Sequence, residues 1–261
     1  MSGQRFRRGQ KLGKYKLLER LGAGGFAVVY RARDTVEGRD VALKLPVATY
    51  GSESHEELLR EVRLTLSLVH PNIVPVLNAD IVGEQLVIAT QLGRESLSSR
   101  LHRRMSDKKA LSIVTQVLEA LAFAHGERVI HCDVNPSNVI LFQHDHVALA
   151  DFGLARVAAK TQLLGSGSGT VGYIAPEQAM GHPSFRSDVF AWGLLTYRLF
   201  AGQLPRWPYR PPLPGWDRIR QKLTRPAQTF LKRAIEPEYR KRFRNAVQLQ
   251  EAFEAIPEFL R

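Results

Sequence analysis

The chain of 261 residues has a single cysteine, Cys132, so no internal disulfide can form. That usage fits a reducing compartment and a cytoplasmic location. No run of about 18 apolar residues occurs, which excludes a membrane-spanning helix of ordinary length. The basic N-terminus lacks the apolar stretch of a secretory signal. Acids are in short supply, 25 Asp and Glu against 37 Lys and Arg, which leaves a net charge of +12. Much of the excess lies at the two ends, in Arg5, Arg7, Arg8, Lys11, Lys14 and Lys16, and in Arg240, Lys241, Arg242 and Arg244. The basic runs carry no nucleic-acid motif and no interleaved aromatics, which disfavours nucleic acid as the main partner. A solvated basic face, or a surface suited to acidic protein partners, fits better. The oligomeric state is left open.

The rest of the composition is that of a globular protein, with 44% hydrophobic and 24% charged residues. The chemistry is concentrated in residues 131–153, HCDVNPSNVILFQHDHVALADFG. Two apolar runs, 139–142 and 147–150, flank Gln143-His144-Asp145-His146 and predict a short hairpin that returns Asp151 beside Asn138. Two oxygen donors brought together suit a hard cation such as Mg²⁺, which takes one or two protein oxygens plus substrate phosphates. Asp133 remains as a carboxylate able to accept a proton from an incoming hydroxyl. His144-Asp145-His146 has metal-ligand character, but without further ligands nearby it reads as the hairpin tip.

This stretch resembles the catalytic loop, hairpin and metal loop of the protein kinases, usually worded H-R-D-x-K-P-x-N and D-F-G. Cys132 stands where Arg is usual and Asn135 where Lys is usual. Other segments extend the resemblance over about residues 13–256. Gly22-Ala23-Gly24-Gly25-Phe26-Ala27 is similar to a glycine-rich phosphate loop with Ala27 in place of the third glycine, a weak signal alone. Val41-Ala42-Leu43-Lys44 matches the strand that carries a phosphate-binding lysine. An amphipathic helix over 53–69, with Leu58, Leu59, Val62, Leu66 and Val69 on its apolar stripe, supplies Glu61 as the partner of Lys44. Strands are expected at 74–77 and 86–89. Thr90-Gln91-Leu92-Gly93 then resembles the hinge between lobes, with Ala89 at the back of the nucleotide pocket and adenine pairing between Thr90 and Leu92.

A helix capped by Ser106 runs through 110–124 with Leu111, Val114, Val117, Leu118, Leu121 and Phe123 inward, and Gly126 ends it. Gly165-Ser166-Gly167-Ser168-Gly169 reads as an activation loop, with Thr161, Ser166 and Ser168 as candidate phosphate acceptors, and Ala175-Pro176-Glu177 follows. In the family Glu177 pairs with a C-terminal arginine, here Arg240 or Arg242. Asp188 would anchor the catalytic-loop backbone. The proline-rich stretch 205–217 reads as a loop packed by its aromatics, and 230–234 and 247–259 as helices.

The resemblance implies an α+β, two-lobed, protein-kinase-like fold: a basic arm over 1–12, a small lobe over 13–90 and a mainly helical lobe over 91–261. It also implies an ATP- and Mg²⁺-dependent Ser/Thr protein kinase, similar to bacterial members, acting on protein hydroxyls and on itself. The catalytic set is Asp133, Lys44, Glu61 and Asn135, with Asn138 and Asp151 for metal. Nucleotide contacts fall on Gly22, Ala23, Gly24, Gly25, Val29, Ala42, Lys44, Ala89, Thr90, Leu92 and Ile140. The alternative is a silent ATP-binding scaffold, motivated by Asn135, which donates a hydrogen bond but brings no charge to the transferring phosphate. A small-molecule phosphotransferase is disfavoured by the intact Ala-Pro-Glu segment.

Overall fold

The computed structural model describes residues 6–23, 27–46, 59, 62–152, 172–209 and 211–261. Strands β1 (Lys11–Leu12), β2 (Tyr15–Ala23), β3 (Ala27–Asp34), β4 (Asp40–Pro46), β5 (Val76–Val82) and β6 (Gln85–Gln91) form one antiparallel sheet in the order β1-β2-β3-β4-β6-β5. Alternation along β4 buries Val41, Leu43 and Leu45 and leaves Ala42 and Lys44 half-buried. The buried set packs with Tyr15, Leu17, Tyr30, Ala32, Val87 and Ala89 on one face. Leu86, Ile88 and Val62 form a smaller cluster, which joins the helical residues 62–67 to the sheet.

Several boundaries differ from expectation. The basic arm is held from residue 6: Phe6 O accepts from the Tyr30 hydroxyl at 3.2 Å, and the Gly9 amide donates to Leu17 O at 2.8 Å. The strand expected at 74–77 starts later and runs to Val82, because the Val74 amide is taken by Leu149 O at 3.0 Å in the large lobe. The helical stripe also breaks near its end. Leu66 is 45% exposed although still helical; past the last helical residue, 67, the chain turns, so that Leu68 is buried and Val69 is 81% exposed. Leu58 and the segment 165–169 read as an activation loop lie outside the described residues.

The large lobe comprises β7 (Glu95–Ser96), α1 (Leu97–Arg100), α2 (Asp107–Gly126), β8 (Val139–Leu141), β9 (Val147–Leu149), α3 (Pro176–Ala179), α4 (Phe185–Ala201), α5 (Trp216–Lys222), α6 (Arg225–Ala234) and α7 (Ala246–Glu254). The Ser106 hydroxyl accepts from the Lys109 amide at 3.2 Å and starts α2 as expected. Its inward positions Val114, Val117, Leu118 and Leu121 are buried, with Leu111 and Phe123 half-buried at the margin. They pack on α4, a helix buried along most of its length, where Trp192 donates to Val114 O at 2.9 Å. α7 stops at Glu254 rather than 259, since Pro257 restricts the residue before it and cannot continue a helix. In the proline-rich stretch Tyr209 packs edge-on to Phe190 and Trp216 is buried, but Trp207 is exposed.

The lobes are strapped together by residues 72–74. Asn72 donates to Val147 O at 2.8 Å and to Gln116 Oε1 at 3.0 Å, while Ile73 bridges Leu149. That strap fixes the sheet over the β8–β9 hairpin, so the residues carrying chemistry face one cleft.

Candidate active site

The ceiling of the cleft is set by strand register. Gly22, Val29, Lys44 and Ile88 are successive partners across β2, β3, β4 and β6, and Ala42 pairs with Thr90. Paired residues share a face, so Val29, Ala42, Lys44, Ile88 and Thr90 point the same way. Ala89 does not. It pairs with Leu43, is 1% exposed and sits in the opposite-face core. The expectation that Ala89 backs the cleft is therefore corrected: Thr90 stands there, and the hinge shifts by one residue. The Gln91 amide is already spent on Pro75 O at 3.3 Å, which places the open hinge edge beyond it. Gly93 permits a close approach of the chain to β8, since a Cβ there would collide with Ile140 Cγ2. Ile140 thus lies directly beneath the hinge, where a flat base would rest. Gly24 and Gly25 fall outside the described residues, between Ala23 and Ala27, the ends of the β2–β3 hairpin.

The floor is the loop after α2. The buried Asp188 of α4 accepts from the His131 amide at 2.7 Å, the Cys132 amide at 2.8 Å and His125 Nε2 at 2.9 Å. The loop anchor expected of Asp188 is present. His125, which the sequence does not single out, extends it: its Nδ1 accepts from the Ala246 amide at 2.8 Å, tying α7 to the same carboxylate. Cys132 is buried with φ 64°, in the left-handed region, and its carbonyl accepts from Gln178 Nε2 at 2.6 Å. His131 Nδ1 accepts from the Asp133 amide at 3.1 Å, which leaves Nε2–H to donate to Ala150 O at 2.9 Å.

The Asp133 carboxylate faces the open cleft. Asn135 Nδ2 donates to Oδ1 at 2.7 Å and Asn138 Nδ2 to Oδ2 at 2.8 Å. The protein packed around this carboxyl raises its pKa above the ordinary carboxylate value, an effect opposed by His131 and the two amide bonds and reinforced by Asp151. Asn135 is itself buried, and its side chain lies on Asp133 rather than extending into the cleft. The expectation that it reaches toward a transferring phosphate is corrected accordingly.

The predicted hairpin forms, with Val139 opposite Leu149 and positive φ at His144 and Asp145, the mark of a type I′ turn. His144-Asp145-His146 is that turn, and Asp145 is ion-paired with Lys109. The hairpin returns Ala150, whose amide donates to Asn138 O at 2.8 Å, and so places Asp151 next to Asn138. Asp151 has φ 69° and its Oδ1 lies 2.8 Å from Lys44 Nζ. Glu61, expected to hold Lys44, lies outside the described residues. The Asn138 bonds to Asp133 all use Nδ2, and among the described residues no hydrogen bond to Asn138 Oδ1 is found; this oxygen and the Asp151 carboxylate are of the ligand type that Mg²⁺ takes.

Arg242, rather than Arg240, pairs with Glu177. Its Nη1 and Nη2 donate to the two carboxylate oxygens at 2.8 and 3.1 Å, and the remaining donors reach the carbonyls of Arg186, Glu236 and Pro237. Burial lowers its pKa, and Glu177 opposes that shift. Being buried, Arg242 contributes nothing to the basic surface read from the C-terminal run.

The match to the protein kinase domain family covers residues 15–252. The chain belongs to the protein kinase family. It is 32% identical over 205 residues to the serine/threonine-protein kinase PrkC of Bacillus subtilis (strain 168), covering 74% of this chain and 31% of that protein. It is 34% identical over 207 residues to the serine/threonine-protein kinase PknE of Mycobacterium tuberculosis (strain ATCC 25618 / H37Rv), covering 76% and 37%. It is 30% identical over 201 residues to the probable serine/threonine-protein kinase PknB of Lactococcus lactis subsp. lactis (strain IL1403), covering 74% and 32%. The chain thus matches about a third of the length of these relatives. Among the described residues no helix is long and apolar enough to cross a membrane.

Proposed function

We propose that this chain is an ATP- and Mg²⁺-dependent Ser/Thr protein kinase that phosphorylates protein hydroxyls, its own included. The observation that carries the reading is the convergence of Lys44, Asp151, Asn138 and Asp133 on one cleft. Lys44 binds phosphate oxygens, and Asn138 Oδ1 with the Asp151 carboxylate would hold Mg²⁺, which would supply charge neutralisation at the phosphates. Asp133, held through both carboxylate oxygens, orients the acceptor hydroxyl and takes its proton. Thr90 and Ile88 line the back of the nucleotide site, Val29 and Ala42 its roof, and Ile140 its bed. The exposed Arg7, Arg8, Lys11 and Lys16 favour an acidic protein partner. Against a silent scaffold stands the survival of Lys44, Asp133, Asn138 and Asp151, with Asn135 bonded to the Asp133 carboxylate.

The test is incubation with γ-labelled ATP and Mg²⁺, alone and with a generic protein acceptor. Asp133→Asn should lower transfer by about 10²–10⁴-fold, the usual share of proton acceptance, with ADP affinity nearly unchanged. A variant retaining full turnover would remove Asp133 from this role.

A further inference from the structure

We propose that Asn135 is a positioning residue: it locks the Asp133 carboxylate in its reacting orientation and does not contact the transferring phosphoryl group. The inference rests on the kinase reading and deepens it. Asn135 is 2% exposed, and both of its amide hydrogens are committed within the loop. Nδ2 donates to Asp133 Oδ1 at 2.7 Å and to Asp133 O at 3.1 Å, while Oδ1 accepts from the Ser137 amide at 2.8 Å. No donor is left to aim at a phosphate. Asn138 makes the mirror arrangement, with Nδ2 on Asp133 Oδ2 and Asp133 O, both at 2.8 Å.

The local chain explains why an amide fits here. Residues 135–138 form a turn closed by the Asn138 amide on Asn135 O at 3.1 Å, which delivers both side chains to the same carboxylate. Pro136 restricts the backbone of Asn135 before it, so the short side chain is presented with little conformational freedom. One amide on each oxygen stops rotation of the carboxylate and leaves the outer lone pairs for the incoming hydroxyl. A lysine at 135 would supply charge but no acceptor for the Ser137 amide.

The experiment is a double-mutant cycle on the full chain, with kcat, KM for ATP, ADP affinity and melting temperature measured throughout. Asn135→Ser keeps an acceptor for the Ser137 amide but cannot reach Asp133 Oδ1. We expect kcat to fall about 10- to 100-fold, the range for losing a bond to a charged group, with KM for ATP within about twofold. In an Asp133→Asn background the same change should cost nothing further, since it acts only through that carboxylate. Asn135→Asp keeps the size and the acceptor but presents oxygen to the carboxylate. It should lose more kcat than the serine variant, again only with Asp133 intact, and covers the case in which the serine variant fails to fold. Multiplicative losses in the Asp133→Asn background, an unchanged kcat, or a loss confined to KM for ATP would each overturn the proposal. A wild-type chain that transfers no phosphate with Mg²⁺-ATP would overturn the kinase reading as well.

Discussion

Two neighbouring residues of β6 should respond to substitution in opposite ways. Ala89 lies in the closed core on its face of the sheet, in one cluster with Leu43, Tyr30 and Val87. Ala89→Met adds side-chain volume there, and overpacking of this kind costs about 1–3 kcal/mol. At about 2–4 °C per kcal/mol for a chain of this size, melting should fall by about 2–12 °C. Thr90 instead shares the cleft face with Ala42 and Lys44. Thr90→Gly should therefore improve binding of a purine analogue with a bulky aromatic substituent by at least about tenfold, or about 1.4 kcal/mol. Ala89→Gly should not. Calorimetry and titration with ADP and the analogue on all three variants check the assignment. If Ala89→Met leaves melting unchanged while Ala89→Gly admits the analogue, the register argument is refuted.

Arg242→Met leaves Glu177, only 12% exposed, without its cation, and should cost about 3–5 kcal/mol of stability. An unchanged denaturation midpoint would refute this. The combined Thr161→Ala, Ser166→Ala and Ser168→Ala variant, at positions outside the described residues, should change activity by less than about fivefold, about 1 kcal/mol, because Cys132 brings no cation to hold a loop phosphate. Collapse of activity on phosphatase treatment, restored by ATP, would show that another basic group does so.

The catalytic loop is legible in the sequence because its chemistry is local. Asp133, Asn138 and Asp151 lie close together in the chain, and the hairpin between them has a clear pattern of apolar runs around a polar turn. The hinge is less legible for an equally physical reason. Leu86-Val87-Ile88-Ala89 is continuously apolar, since both faces of β6 are buried, so no alternation marks which residue meets the nucleotide. Only pairing with β4 decides it, and pairing is nonlocal. His125 escapes a reading of the sequence because a lone histidine inside an apolar helix carries no pattern; its partners Asp188 and Ala246 lie 63 and 121 residues away. For Asn135 the motif gives the position but not the partner, because it does not specify a side-chain direction.

The departures at Cys132 and Asn135 have different physical consequences. At Cys132 the backbone does the positioning, through an amide on Asp188 and a carbonyl on Gln178. What the cysteine removes, relative to the arginine usual in the family, is a positive charge. At Asn135 the side chain itself does the positioning, so the substitution exchanges charge for a fixed hydrogen-bond network. Both changes withdraw cations from the catalytic loop while leaving the Asp133 carboxylate held. Among the described residues, Lys44 is then the cation in contact with Asp151, and the positive charge of the cleft rests on that lysine rather than on the catalytic loop.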